Sequence, residues 1–161
     1  MKLTIDISRQ DYADFNKFHF LKTKLKRTVI TGVLTVIILQ LFLNREQFDL
    51  TATTISSVVC VVVYFFAINR SLNKTKSIPN NDGAILGKKE MEFAEDKIIY
   101  KTSNSEGSSA WTTIKKLEEN SKAFYLYMDT NMAILVPKRV FKDKSEEETF
   151  KILVRQKIYT A

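Results

Sequence analysis

The sequence predicts an α+β membrane protein: a two-helix transmembrane hairpin followed by a small antiparallel β-sheet or barrel closed by a C-terminal helix. Three observations predict it. No charge occurs from Thr28 to Asn44 or from Leu50 to Asn69, and only Arg45-Glu46-Gln47-Phe48-Asp49 separates the two runs. Roughly 20 helical residues cross the hydrocarbon core of a bilayer, so runs joined this tightly read as a hairpin. From Gly87 onward, short alternating segments are punctuated by turn residues, and a segment headed by Ser145-Glu146-Glu147-Glu148 ends the chain.

Residues 1–27 hold two small elements. Leu3, Ile5 and Ile7 alternate with Lys2, Thr4, Asp6 and Ser8, the period of a half-buried strand. Ser8 before Arg9-Gln10-Asp11 is a helix cap, after which Tyr12, Phe15, Phe18, Leu21 and Leu25 recur at helical spacing. Two readings of this aromatic stripe stand: it lies in the headgroup region while Lys17, Lys22, Lys24 and Lys26 reach lipid phosphates, or it packs on the domain that follows.

The spans are placed at 28–44 and 50–69. Lys24, Lys26 and Arg27 extend the first by snorkelling. Thr51, Thr53, Thr54, Ser56 and Ser57 interrupt the second, but hydroxyls bond back to helix carbonyls or across to a neighbouring helix. The net charge of +7 divides into about +4 before the first span, −1 between the spans and +4 beyond the second. By the positive-inside rule both termini face the cytoplasm, which makes this a multi-pass protein of the cell membrane with the lipid bilayer as its first partner.

Residues 70–86 read as a linker, with Pro79-Asn80-Asn81-Asp82-Gly83 as its turn cluster. A cytosolic domain occupies 87–161. Its expected strands are Lys88 to Phe93, Lys97 to Thr102, Ser108 to Trp111, Thr113 to Glu119, Ala123 to Met128 and Met132 to Pro137. Within them Met91 and Phe93 oppose Glu90 and Glu92, and Phe124, Leu126 and Met128 oppose Ala123, Tyr125 and Tyr127. Ser145 reads as the cap of the last helix, with Phe150, Leu153, Val154, Lys157 and Ile158 on one face. About 75 residues make a marginal core, so the strand at residues 2–7 is expected to join the sheet as a seventh.

Reaction chemistry is sparse. His19 is the only histidine and Cys60, inside the second span, the only cysteine, so neither a disulfide within the chain nor a His/Cys metal cluster can be assembled. Gly32, Gly83, Gly87 and Gly107 form no dinucleotide fingerprint or P-loop. From Lys88 onward acids and bases are interspersed, which argues against a nucleic-acid groove. No catalytic residue, metal or cofactor is expected.

Candidate contacts with a partner or headgroup are Trp111, Lys115, Lys116, Tyr125, Tyr127, Lys138 and Arg139. Trp111 is an interface anchor or a core residue. Lys138 and Arg139, with Lys115 and Lys116, hold a phosphate or headgroup, or form a solvated strand end. Tyr125 and Tyr127 share one sheet face, as a partner strip or as the cover of a helix.

The order of a short strand and helix, a hairpin, then Trp111-Thr112-Thr113-Ile114, Glu118, Tyr125-Leu126-Tyr127 and Ile134-Leu135-Val136-Pro137-Lys138-Arg139-Val140-Phe141 before a last helix resembles, over the whole chain, the YcxB-like family of bacterial membrane proteins. The resemblance implies a pleckstrin-homology-like fold. Related membrane proteins with pleckstrin-like domains include immunity factors against membrane-active bacteriocins. The expected function is therefore a non-enzymatic adaptor or scaffold that binds a protein partner or the inner leaflet, with homo-oligomers possible. Envelope protection against membrane-active peptides is the alternative, and a membrane enzyme the second alternative.

Overall fold

The computed structural model describes residues 1–43, 49–79, 85–103 and 105–160. Arg45 to Phe48 of the hairpin tip and Asn80 to Gly83 of the turn cluster lie outside the described residues. The chain divides into two compact units, Met1–Phe15 with Ser77–Ala161, and Asn16–Lys76.

The strand-rich unit contains β1 (Lys2–Ile7), β2 (Gly87–Phe93), β3 (Lys97–Lys101), β4 (Glu106–Ala110), β5 (Lys116–Glu119), β6 (Ala123–Asp129) and β7 (Met132–Pro137). The seven strands make two sheets rather than one curved sheet or a closed barrel: a four-stranded β1-β2-β3-β4 and a three-stranded β5-β6-β7. The break falls where the sequence reads a strand from Thr113. There Trp111–Thr113 form a 3-10 turn, Ile114 N–H returns to Trp111 O at 2.9 Å, and the buried Trp111 ring donates Nε1–H to Ala94 O at 3.0 Å. A ladder cannot run through that pivot.

β1 joins as the seventh strand, antiparallel to β2, with Leu3 opposite Met91 and Ile5 opposite Lys89. Its register ends on Gly87, whose φ of 89° is a left-handed conformation that a side chain would strain. Leu3, Ile5, Met91, Phe93 and Ile98 from one sheet meet Ile114, Phe124, Leu126 and Val136 from the rest of the unit in one core. The final helix, α4 when the helices are numbered along the chain, spans Lys144–Thr160 and sets Phe150 into this core, 4.9 Å from Phe93, 5.4 Å from Phe124 and 5.2 Å from Phe141. Tilted and edge-on rings at such spacings add to the area they bury.

α4 starts before the expected cap. Asp143, not Ser145, accepts Glu146 N–H at 2.8 Å, and Glu146 Oε2 returns to Lys142 N–H at 2.7 Å. Asp143-x-x-Glu146 and Ser145-x-x-Glu148 both have the spacing of a capping box, and the helix starts on the earlier one, where Glu147 is also tied to Lys138 at 2.8 Å.

At the other end of the chain α1 (Arg9–His19) opens on a reciprocal cap, with Ser8 N–H and Oγ–H donating to Asp11 Oδ2 and Asp11 N–H donating to Ser8 Oγ. The hairpin unit continues from it through a π-helical turn at Phe20–Lys24, where Leu25 N–H reaches back to Phe20 O. Thr23 Oγ1 donates to His19 O at 2.6 Å in that turn, a back-bond that competes with the helix ladder. α2 (Leu25–Leu43) and α3 (Leu50–Lys74) follow. α3 starts on Asp49, whose Oδ1 accepts Thr51 N–H at 2.8 Å and Ala52 N–H at 3.2 Å, and it runs five residues past the expected end at Asn69. Both helices are long and apolar enough to cross a membrane.

Candidate binding surfaces

Three of the seven candidate residues are buried in the scaffold. Trp111 is buried beside Phe93, ring centres 6.2 Å apart. Tyr125 and Tyr127 are buried too, covered by Phe15 of α1 with ring centres 5.4 and 5.9 Å away. β6 is thus covered on both faces, by the core on the Phe124 side and by α1 on the tyrosine side. Burial pushes the Tyr125 hydroxyl up to about 12, and Asn120 Nδ2 donates to that oxygen at 3.0 Å. For Phe15, this packing is the second of the two readings of the aromatic stripe.

Lys138 follows β7 in a 3-10 turn and is enclosed by carboxylates: Glu119 at 3.0 Å and Glu147 at 2.8 Å. Lys151 closes the group on Glu119 at 2.5 Å. Lys138 Nζ also sits 4.6 Å from the centre of the Phe124 ring. Burial works against its charge, but Glu147 and Glu119 outweigh it and raise the ammonium above its ordinary value.

Arg139 forks onto Asp11, Nη1 to Oδ1 at 2.6 Å and Nη2 to Oδ2 at 2.7 Å, and Nη2 also donates to Asp6 O at 2.7 Å. Asp11 therefore caps α1 and holds Arg139 at once. Burial opposes its ionisation, yet the Arg139 fork and the Ser8 bonds prevail and lower it to about 2. The bidentate geometry that suits a phosphate is here filled by a carboxylate of the same chain.

Lys115 and Lys116 remain at the surface. Lys115 Nζ donates to Thr112 O at 3.1 Å, while Lys116 lies 3.5 Å from Glu118 and over the Tyr127 ring at 4.7 Å. The outer face of the four-stranded sheet carries a shallow depression of about 410 Å³ lined by Lys2, Thr4, Glu90, Glu92, Ile99 and Lys101. Lys89 falls on the parity of Met91 and Phe93, so it points inward; burial lowers its pKa, and its Nζ donates to Ile85 O at 3.1 Å.

Asp11, Glu119, Glu147 and Lys151 complete the ionic clusters and are absent from the sequence-derived candidates. Asp11 and Arg139 lie 128 residues apart, and no local spacing signals such a pair. The partners of Lys138 had a faint signal in the acidic head of the last helix, which faces a basic pair only once β7 turns into α4.

Phe93 to Leu153 span the pivot, the Lys138 cluster, Arg139 and the start of α4. Residues 93–153 match the family described as YcxB-like protein. No curated protein and no solved structure matches the chain. The YcxB-like segment contains all seven candidate residues, whereas Asp11, on which Arg139 closes, lies outside it.

Proposed function

We propose that the chain is a non-enzymatic membrane-anchored protein, in which α2 and α3 cross the bilayer and the strand-rich unit is a cytoplasmic, pleckstrin-homology-like docking module for a protein partner. The observation that carries the membrane reading is the inside-out chemistry of the hairpin unit. Gln40 Nε2 lies 2.8 Å from Ser56 Oγ, 3.0 Å from Ser57 Oγ and 3.3 Å from Thr53 O, and Tyr64 donates its hydroxyl to Thr28 O at 2.8 Å. The polar groups meet between the helices, while Ile30, Leu34, Ile38, Leu41, Val59, Val63 and Phe66 face outward. Water selects the opposite arrangement and hydrocarbon selects this one. Lys22, Lys24, Lys26 and Arg27 at one end of the pair and Arg70, Lys74 and Lys76 at the corresponding end of α3 support a cytoplasmic orientation.

The pleckstrin-homology-like reading draws on the division into four and three strands, on α4 packed into the core, and on the YcxB-like match. Docking is favoured over phosphate binding because Lys138 and Arg139 are engaged internally, which leaves Lys115, Lys116 and the outer sheet face for a partner. Affinity capture of the intact protein from native membranes, compared with Lys115→Glu/Lys116→Glu, tests this. A co-purifying protein lost from the variant is the expected result. Recovery of lipid and the chain itself from both would overturn docking.

A further inference from the structure

We propose that β4 is a pairing edge at which two copies of this chain join, antiparallel, about a two-fold axis through Ser108. The inference rests on the strand-rich unit alone and holds whether or not α2 and α3 lie in a bilayer.

Each edge of the four-stranded sheet has one outward carbonyl taken by a side chain: Asp6 O on β1 by Arg139, and Ala110 O, at the end of β4, by the Thr113 hydroxyl at 2.7 Å. On β4, among the described residues, no strand pairs with the outer side. Exposed edges are ordinarily protected by lysine, proline, a bulge or an inward charge. Glu106-Gly107-Ser108-Ser109-Ala110 has no lysine or proline, and its register with Lys97–Lys101 is continuous. Glycine, serine and alanine are poor strand formers, so β4 holds its extended shape through one ladder, and a second would strengthen it.

The backbone phase is fixed by Thr102 N–H on Ser105 O at 2.8 Å, which makes 102 and 105 a hydrogen-bonded pair. Alternation along an antiparallel ladder then turns Gly107 and Ser109 toward β3, and leaves the N–H and C=O groups of Glu106, Ser108 and Ala110 pointing off the sheet. Ala94 N–H on Lys97 O, across the other side of β3, gives the same phase. If Ser108 faces the partner's Ser108, then Glu106 faces the partner's Ala110, and the outward N–H and C=O groups meet across the axis, with Ala110 O, which already accepts the Thr113 hydroxyl at 2.7 Å, taking its second hydrogen bond there.

Charge agrees with that register. Glu106 sits beside Lys101 at a loose 3.9 Å, with both side chains 64% exposed. Lys97 pairs with Ala110 in the ladder, so the partner's Lys97 lies two strands, about 10 Å of backbone, from Glu106, within reach of the two side chains. The contact is made twice, once on each side of the axis. A foreign strand would have to bring its own cation to the same place.

The test is single-cysteine cross-linking of the full chain in native membranes, with Cys60→Ser as background. Facing residues of a hydrogen-bonded antiparallel pair stand about 5.5 Å apart at Cα, a separation that a disulfide spans. Ser108→Cys is expected to form a dimer under mild oxidation, and Thr149→Cys, on the exposed side of α4, to remain monomeric. Ser108→Pro removes an outward N–H while sparing the bonds to β3, and is expected to abolish the dimer seen by sedimentation of the detergent-solubilised protein with Trp111 fluorescence unchanged. Cross-linking of Ser108→Cys no faster than Thr149→Cys, its capture of a different protein, or a dimer that survives Ser108→Pro with its fold intact would each overturn the proposal.

Discussion

At the scale of single residues, Asp11 joins two distant pieces of chain with one carboxylate, capping α1 through Ser8 and receiving the Arg139 fork. Asp11→Asn keeps part of the cap and loses the charge. The expected loss is about 1–2 kcal/mol, moderated by the screening that half-exposed Arg139 experiences. Denaturant unfolding followed by Trp111, the only tryptophan, measures it. The pH dependence has a definite sign. The folded carboxyl titrates at about 2 against an ordinary 3.8, so its contribution is full above 3.8 and is lost as pH falls toward 2. Wild type and Asp11→Asn should therefore converge in stability near the bottom of that window; a gap that persists there would place the effect elsewhere. Lys138 makes the complementary case. With 19% of its side chain exposed, it is a part-buried strut, unlike Lys2 on Glu92, where the lysine is 77% exposed and the pair contributes little. Lys138→Glu sets a third carboxylate against Glu119 and Glu147 and is expected to destabilise the unit by about 2 kcal/mol or more, visible as an earlier unfolding midpoint.

At the scale of elements, the hairpin is held by a polar seam and one close approach. A Cβ on Gly32 would lie 2.7 Å from Tyr64 Cε1, so Gly32→Val must push the ring that carries the bond to Thr28 O. Gln40→Leu removes the contacts to Ser56 and Ser57, a loss of about 1 kcal/mol if the pair crosses a bilayer as proposed. Both variants should unfold at lower concentrations of a harsh detergent than the wild type, and equal resistance would mean that the seam is not what holds the pair. The hairpin was legible because charge-free runs are local features. So were β1, where alternation is strict, and β6 and β7, apolar runs whose turns are marked by Asn120 and Thr130-Asn131. What escaped was set by long-range packing. The Trp111 pivot splits what reads as one sheet, and Asp143 supplants Ser145 once Glu147 has a lysine to reach, whereas the cover of Tyr125 and Tyr127 by α1 is one of the two readings the sequence left open. Lys138 and Arg139 illustrate the same limit at the candidate site: a basic pair after proline reads as an anion site until its carboxylates arrive from 128 residues upstream and from the next helix.

At the scale of the whole molecule, the hairpin is an insertion between two adjacent strands. β1 ends at Ile7, β2 begins at Gly87, and they pair along their length. The four-stranded sheet is therefore completed only when the chain has gone through both helices and come back. In a membrane this requires both ends of the hairpin on one side, so the strand pairing and the two-span topology support each other. The most direct measurement is cysteine accessibility in intact cells, on a Cys60→Ser background, with an impermeant maleimide and single cysteines at Thr4, Gln47 and Thr149. The account predicts that Gln47→Cys labels from outside, whereas Thr4→Cys and Thr149→Cys label only after the membrane is opened. Label at Thr4→Cys and Thr149→Cys on opposite sides, or a protein released from membranes by alkaline wash, would contradict it.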